Sequence, residues 1–225
     1  MIEGKSIYLR YPDGTMALKD INIDIKAGEM VYITGVSGSG KTSLLKLLMG
    51  IEFPTSGLLK ILGQTMEKEE ASNIRRLRLK LGPVFQEFRL IKGRTAIENV
   101  MLGMRFLNLT PSEIKRASHD AMEKVGLEHK LLTPVENLSF GESQRVAIAR
   151  AVARKPSLIL ADEPTGNLDV DNAVNILELL ESFKDINTSV IITTHATHLI
   201  KNSNYDKLIH INNGNIYCES LGCSI

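Results

Sequence analysis

Residues 30–34 form an apolar, β-branched and aromatic run, which gives way to Gly35-Val36-Ser37-Gly38-Ser39-Gly40-Lys41-Thr42; residues 42–49 then show helical apolar spacing before Gly50. The octet matches G-x-x-x-x-G-K-[ST] in the context that gives this pattern meaning, a strand before it and a helix after it. Three glycines let the backbone curl so that successive N–H groups point at one phosphate, and the start of the helix adds its positive end. Lys41 reaches the β- and γ-phosphates of a nucleotide, and Thr42 supplies a hydroxyl to Mg²⁺. A glycine-rich turn without a ligand would need neither the lysine nor the hydroxyl beside it.

The rest of the chain supports an α/β fold. Residues 158–161 and 190–193 read as short buried strands, and residues 170–183 between them place Val174, Leu177 and Leu180 on one helical face. Such alternation predicts a mainly parallel sheet. At the N-terminus, residues 6–11 and 17–25 read as strands flanking the turn Pro12-Asp13-Gly14, with Ile21, Ile23 and Ile25 alternating with polar residues, which predicts a β-rich opening. From Pro83 to Pro156 strand signal almost vanishes, and residues 97–107, 111–125 and 142–154 are helix-like. The expectation is one domain over residues 1–225 with a helical subdomain, residues 87–155, inserted within it. A hairpin around Asn212-Asn213-Gly214 closes the chain, and Arg75, Arg76, Arg78 and Lys80 read as a solvated helix face.

With 43% hydrophobic and 24% charged residues, the 225-residue chain has material for a sizeable core, which excludes a disordered tail protein. Lys plus Arg number 27 against 26 Asp plus Glu, so a net charge of +1 gives no field to gather nucleic acid. Cys218 and Cys223 lack the paired ligand clusters of a zinc site and read as free thiols. No apolar leader or run of ~18 apolar residues is visible, so the expectation is a cytoplasmic protein that reaches a membrane only through a partner.

A second site follows the strand 158–161: Asp162 and Glu163 stand at its C-terminal end, where ligands of an open α/β sheet bind. Asp162 suits the Mg²⁺ shell, and Glu163 is the candidate base for the attacking water. About twenty residues earlier stands Leu138-Ser139-Phe140-Gly141-Glu142-Ser143-Gln144-Arg145, just before a helix. Alone, its Ser-x-Gly-Glu string is an ordinary helix cap.

In this order and spacing, the phosphate loop, the octet 138–145 and the acidic pair resemble the ATP-binding cassette (ABC) family along essentially the whole chain. That resemblance implies a P-loop NTPase core of RecA type with an antiparallel β subdomain and the inserted helical subdomain. It implies ATP and Mg²⁺ as ligands. It also implies a sandwich homodimer in which the signature residues Ser139 and Gly141 of one subunit cap the γ-phosphate held by the other. Residue by residue, it places Tyr11 against adenine, Ser43 with the loop residues on the nucleotide, Gln86 on Mg²⁺ or the attacking water, Asp169 in the loop that crosses to the other subunit, and His195 on the γ-phosphate. Unaided, Tyr11 fits an ordinary core role equally, and His195 a strand-end or helix-cap histidine.

Residues 161–169 are similar to a subgroup that includes lipoprotein-releasing, macrolide-exporting and FtsE cell-division ATPases. Gly28-Glu29-Met30, Leu44-Leu45-Lys46-Leu47 with Gly50-Ile51-Glu52, residues 84–90, Arg94-Thr95 and Glu98-Asn99-Val100 are similar to the FtsE family in particular, although sister subgroups share several of them. The implied partner is an FtsX-like integral membrane protein, or an exporter permease in the sister groups. Two positions depart from the pattern: Phe140 stands where the family has glycine, and Ser143 where it has glutamine. Phenylalanine strongly prefers negative φ, so a loop that uses negative φ there tolerates it, whereas one that does not would slow hydrolysis.

Overall fold

The computed structural model describes residues 1–201 and 203–220. The reading of Cys218 and Cys223 as free thiols concerns side chains that lie outside the described residues. In chain order the elements are β1 (Ile2–Arg10), β2 (Met16–Ile25), β3 (Met30–Thr34), α1 (Lys41–Leu48), β4 (Ser56–Ile61), β5 (Gln64–Thr65), α2 (Ala71–Leu79), β6 (Leu81–Val84), α3 (Ala96–Leu102), α4 (Pro111–Lys124), α5 (Phe140–Val152), β7 (Leu158–Asp162), α6 (Val170–Glu181), β8 (Ser189–Thr194), β9 (Lys207–Asn212) and β10 (Asn215–Ser220).

Two sheets result. The larger runs β10-β9-β3-β8-β7-β6, parallel except for the β9–β10 hairpin, and the smaller, antiparallel one runs β2-β1-β4-β5. The central strands of the larger sheet are apolar on both faces because both faces are covered. Val31, Ile33, Leu158, Leu160 and Ile191 face a core shared with the small sheet, α1 and α2. Met30, Tyr32, Ile159, Ala161, Val190 and Ile192 face a second core built with α3–α6. Between β6 and β7 the chain forms α3, α4 and α5, which pack on one another, and α5 also packs on β6.

Several boundaries differ from the sequence expectation. The first strand begins at Ile2, four residues before the legible alternation, because Ile2 pairs with both Ile25 and Ile61. α3 ends at Leu102 rather than near residue 107, and α5 begins at Phe140 rather than 142. Strands β4, β5 and β6 were not legible. The sequence of β6, Leu-Gly-Pro-Val, is poor strand material, tolerated because this strand ends its sheet and Pro83 needs no donor on the open side. Among the described residues no helix is long and apolar enough to cross a membrane.

Candidate nucleotide site

The loop between β3 and α1 is shaped by close approach. A Cβ on Gly35 would lie 2.3 Å from the Ile211 carbonyl oxygen of β9, so only glycine lets the loop leave β3 here. Gly40, the residue before α1, has φ 116° and makes no side-chain cap, which leaves the first N–H groups of α1 without the hydroxyl that normally covers them. Lys41 is 4% exposed, and its Nζ donates to the carbonyls of Gly35 at 2.8 Å and Val36 at 3.1 Å. The ammonium is thus held against the loop by two of its carbonyls.

The acidic pair meets this loop from β7. Thr42 Oγ1 lies 3.4 Å from Asp162 Oδ1, which also accepts a 2.8 Å bond from Thr193 of β8. Glu163 takes the left-handed region at φ 44°, uncommon for a residue with a side chain, and its N–H is fixed by the carbonyl and hydroxyl of Thr193. Its two carboxylate oxygens are shared: Oε1 is 3.2 Å from Lys41 Nζ, and Oε2 pairs with His195 Nδ1 at 2.5 Å. A carboxylate, a cation and a histidine from three separate segments therefore meet at one point.

Lys41, Thr42, Glu163 and His195 line one open cleft of about 1200 Å³, whereas Asp162 and Thr193 are not among its lining residues. Of the residues expected at the site, Tyr11, Gly35 through Ser43, Gln86, Glu163 and His195 all border it. Tyr11 reaches it through a 3.1 Å hydrogen bond between its hydroxyl and Ser43 Oγ. Gln86 lies beside Gly166, where a Cβ would come within 3.5 Å of its Nε2. Sequence reasoning missed the far wall: Thr15, Met16, Ala17 and Lys19 around β2, Thr197, and His210, Asn213 and Gly214 from the closing hairpin. The hairpin is tied to the loop, since Gly214 donates to the Ser39 carbonyl at 3.0 Å and His210 Nδ1 shares a 2.6 Å hydrogen bond with Thr34 Oγ1. Only the Asn-Gly turn was a local signal, and it pointed to a hairpin rather than to a binding wall.

Ser139, Gly141 and Asp169 do not border the cleft. They form a second group: a Cβ on Gly141 would lie 3.8 Å from Asn172 Oδ1 and 3.9 Å from Leu168, residues on either side of Asp169, the cap of α6. Asp169 accepts the Asn172 N–H at 2.9 Å, which holds its carboxyl below the usual range. Ser139 caps α5 in a closed box: its hydroxyl accepts the Glu142 N–H, and Glu142 accepts the Ser139 N–H at 2.8 Å. That bond, with Lys130 3.2 Å away, lowers the Glu142 pKa. The serine hydroxyl keeps its own proton, and the N–H groups of Phe140 and Gly141 have no hydrogen-bond partner among the described residues.

Residues 18–166 match the family model described as ABC transporter. The chain belongs to the ABC transporter family. Among curated ABC relatives it is 37% identical over 214 residues to the cell division ATP-binding protein FtsE of Bacillus subtilis, covering 95% of this chain and 93% of that one. To FtsE of Escherichia coli K12 it is 36% identical, covering 96% and 97% of the two chains. Among solved structures, the dimeric post-hydrolysis state of the ATP-binding cassette MJ0796, bound to ADP and Pi, aligns over 100% of both chains with TM-score 0.87 and 31% identity. The fold is therefore that of an ABC nucleotide-binding domain, and the chain is an ABC ATPase.

The ABC pattern sharpens what Phe140 means. Phe140 is the first residue of α5 and is not among the residues with positive φ, so its N–H stays directed out of the helix start despite the ring. The signature turn is in the conformation that tolerates phenylalanine.

Proposed function

We propose that this ATPase is the FtsE-like subunit of a membrane complex. It would act as a homodimer at the inner face of the plasma membrane, bound to an FtsX-like integral membrane protein, and ATP-driven closure would regulate peptidoglycan hydrolysis in cell division. The observation that carries the reading is the division of the site within one subunit: Ser139, Gly141 and Asp169 lie together, away from the cleft that holds the phosphate loop. A second copy, related by two-fold symmetry, supplies the missing half to each cleft. The FtsE relatives over most of the chain support the cell-division assignment, and the charge balance speaks against nucleic acid as partner.

The chemistry follows from the cleft. An incoming triphosphate competes with Glu163 for the Lys41 ammonium, 3.2 Å away, and releases the carboxylate. Glu163 then takes the proton of a water whose oxygen attacks the γ-phosphorus, while the bond to the bridging oxygen breaks and ADP and phosphate leave. His195, on the other carboxylate oxygen, holds Glu163 in orientation and stands beside the γ-phosphate. Thr42 Oγ1 and the Asp162 carboxylate, 3.4 Å apart, form the hard oxygen set that Mg²⁺ prefers, with Gln86 as a further oxygen donor on the cleft wall. When bound, Mg²⁺ neutralises charge on the β- and γ-oxygens. Tyr11 offers its ring to adenine.

The test is Glu163→Gln with Mg-ATP. Hydrolysis should fall by about 10²- to 10⁴-fold, and ATP should trap a dimer by light scattering. Near-normal turnover would remove Glu163 from the base role, and a persistent monomer would remove the shared site. Affinity isolation of this variant from detergent-solubilised membranes should recover an FtsX-like protein. Recovery of a lipoprotein-releasing or efflux permease would instead assign the chain to an exporter.

A further inference from the structure

The two departures from the ABC pattern, Phe140 and Ser143, sit one helical turn apart on the same face of α5. Both meet the segment that follows Gln86. The rings of Phe140 and Phe88 lie with centroids 4.5 Å apart at 69°, an edge-to-face pair. Ser143 lines, with Phe88, Arg89, Leu90 and Val135, a cavity of about 240 Å³, space that a glutamine at this position would enter. Ten residues along α5, Arg150 donates to the carbonyls of both Phe88 and Arg89 at 2.6 Å. Arg89 in turn stacks its guanidinium 4.0 Å from the centre of the Phe85 ring. One helix therefore grips Phe88 twice, by its backbone through Arg150 and by its ring through Phe140.

We propose that Phe140 and Phe88 form a clasp that couples the glutamine loop to the signature turn within one subunit, making Phe140 a positioning residue that acts through Ser139. Gln86 borders the nucleotide cleft and Phe88 is two residues on, so a shift of Gln86 on binding nucleotide carries the Phe88 ring with it. The ring drives the first residue of α5, which is bonded to the capping Ser139. A glycine at position 140 has no side chain with which to receive that push, so the clasp is particular to a chain with a ring there. Aromatic pairs prefer edge-to-face or offset-stacked arrangements over others, which suits this pair to transmit a shift rather than absorb it. The inference rests on the roles proposed above for Gln86 and Ser139.

The experiment measures steady-state ATP hydrolysis, ATP affinity and thermal melting for the full chain and for Phe140→Ala, Phe88→Ala, the double variant and Phe140→Tyr. Alanine is chosen over glycine so that the helix start is kept. Each single alanine variant should lower kcat about threefold to tenfold with ATP affinity unchanged, because the ring pair lies outside the cleft. The double variant should be no slower than either single one, and Phe140→Tyr, which keeps the ring, should retain kcat. Losses that multiply in the double variant, or an unchanged kcat in Phe140→Ala, would overturn the clasp. If the alanine forms melt early, Phe88→Leu and Phe140→Leu keep the apolar volume and lose the ring, and the same two criteria apply. Ser139→Ala and Gln86→Ala separate the failures: if both leave kcat unchanged, the proposed site falls and the clasp with it. If both lower kcat while the ring variants do not, the clasp alone is wrong.

Discussion

Helix α1 begins after a glycine that makes no cap, whereas α3, α4 and α5 each begin at a hydroxyl residue closed by a glutamate three residues on: Thr95 with Glu98, Thr110 with Glu113, and Ser139 with Glu142. The same four orphan N–H groups are present at every helix start. At α1 they are left open; at α3 the box takes two of them and the carbonyls of Thr133 and Leu131 take the N–H groups of Ala96 and Ile97, and at α4 the box takes two while Pro111 brings no N–H. α5 combines the two designs, because its box is closed yet the Ser139 hydroxyl proton and the N–H groups of Phe140 and Gly141 stay available to an anion. A capping box uses only the cap and N3 donors, so the N–H groups between them decide whether a helix start can meet an anion.

The contrast is broken most severely at the open end. Gly40→Ser places a Cβ 2.8 Å from the Ala17 carbonyl oxygen and a hydroxyl over the free donors. ATP affinity should fall by about 10²-fold, on the scale of the ~3 kcal/mol such backbone strain costs, as read by nucleotide titration calorimetry. Native affinity in that variant would show that α1 does not depend on an open start. Next come the closed ends. Ser139→Ala should cost about 1 kcal/mol of stability as a lost cap and also lower kcat about 10- to 100-fold as a lost bond to a charged group. Thr110→Ala should show the same stability loss in thermal denaturation with turnover intact, and a comparable fall in kcat there would erase the distinction between the two boxes.

The smallest effect is one of pH. N–H bonds from Thr95 and Thr110 hold Glu98 and Glu113 below the usual carboxylate range, and the Ser139 N–H does the same to Glu142. A depressed folded-state pKa adds stability that is present above the unfolded value of about 4.3 and is lost as pH falls through the folded value. The difference in melting temperature between wild type and Glu113→Ala should therefore be full at neutral pH and shrink as pH drops below about 4. A gap independent of pH would mean that the glutamate acts by packing rather than by accepting the N–H.

Features governed by near neighbours in the chain were legible in the sequence. The phosphate loop needs glycines and a lysine within eight residues, the acidic pair needs a strand end, and the closing hairpin needs Asn213-Gly214 in the left-handed region, with φ 48° and 80°. Such features carry their own turn chemistry or periodicity. Strand β6 was hidden, because Gly82 and Pro83 are weak strand formers that neighbouring β7 holds in place.

Local motifs and the resemblance they carry named candidates for the two halves of the proposed nucleotide site, but not the far wall of the cleft around β2 and the closing hairpin. Folding decided their grouping: Gln86, Glu163, His195 and the hairpin residues His210 and Gly214 converge on the loop from distant strands, while Ser139 and Asp169 gather elsewhere. It also set the left-handed backbone of Glu163, imposed by Thr193 of the adjacent strand, and the contact of Phe140 with Phe88, fifty-two positions earlier. Local propensity acts over a few residues and is written in order along the chain. Contacts between strands and helices far apart in sequence come from burying both faces of one sheet, which no short window encodes.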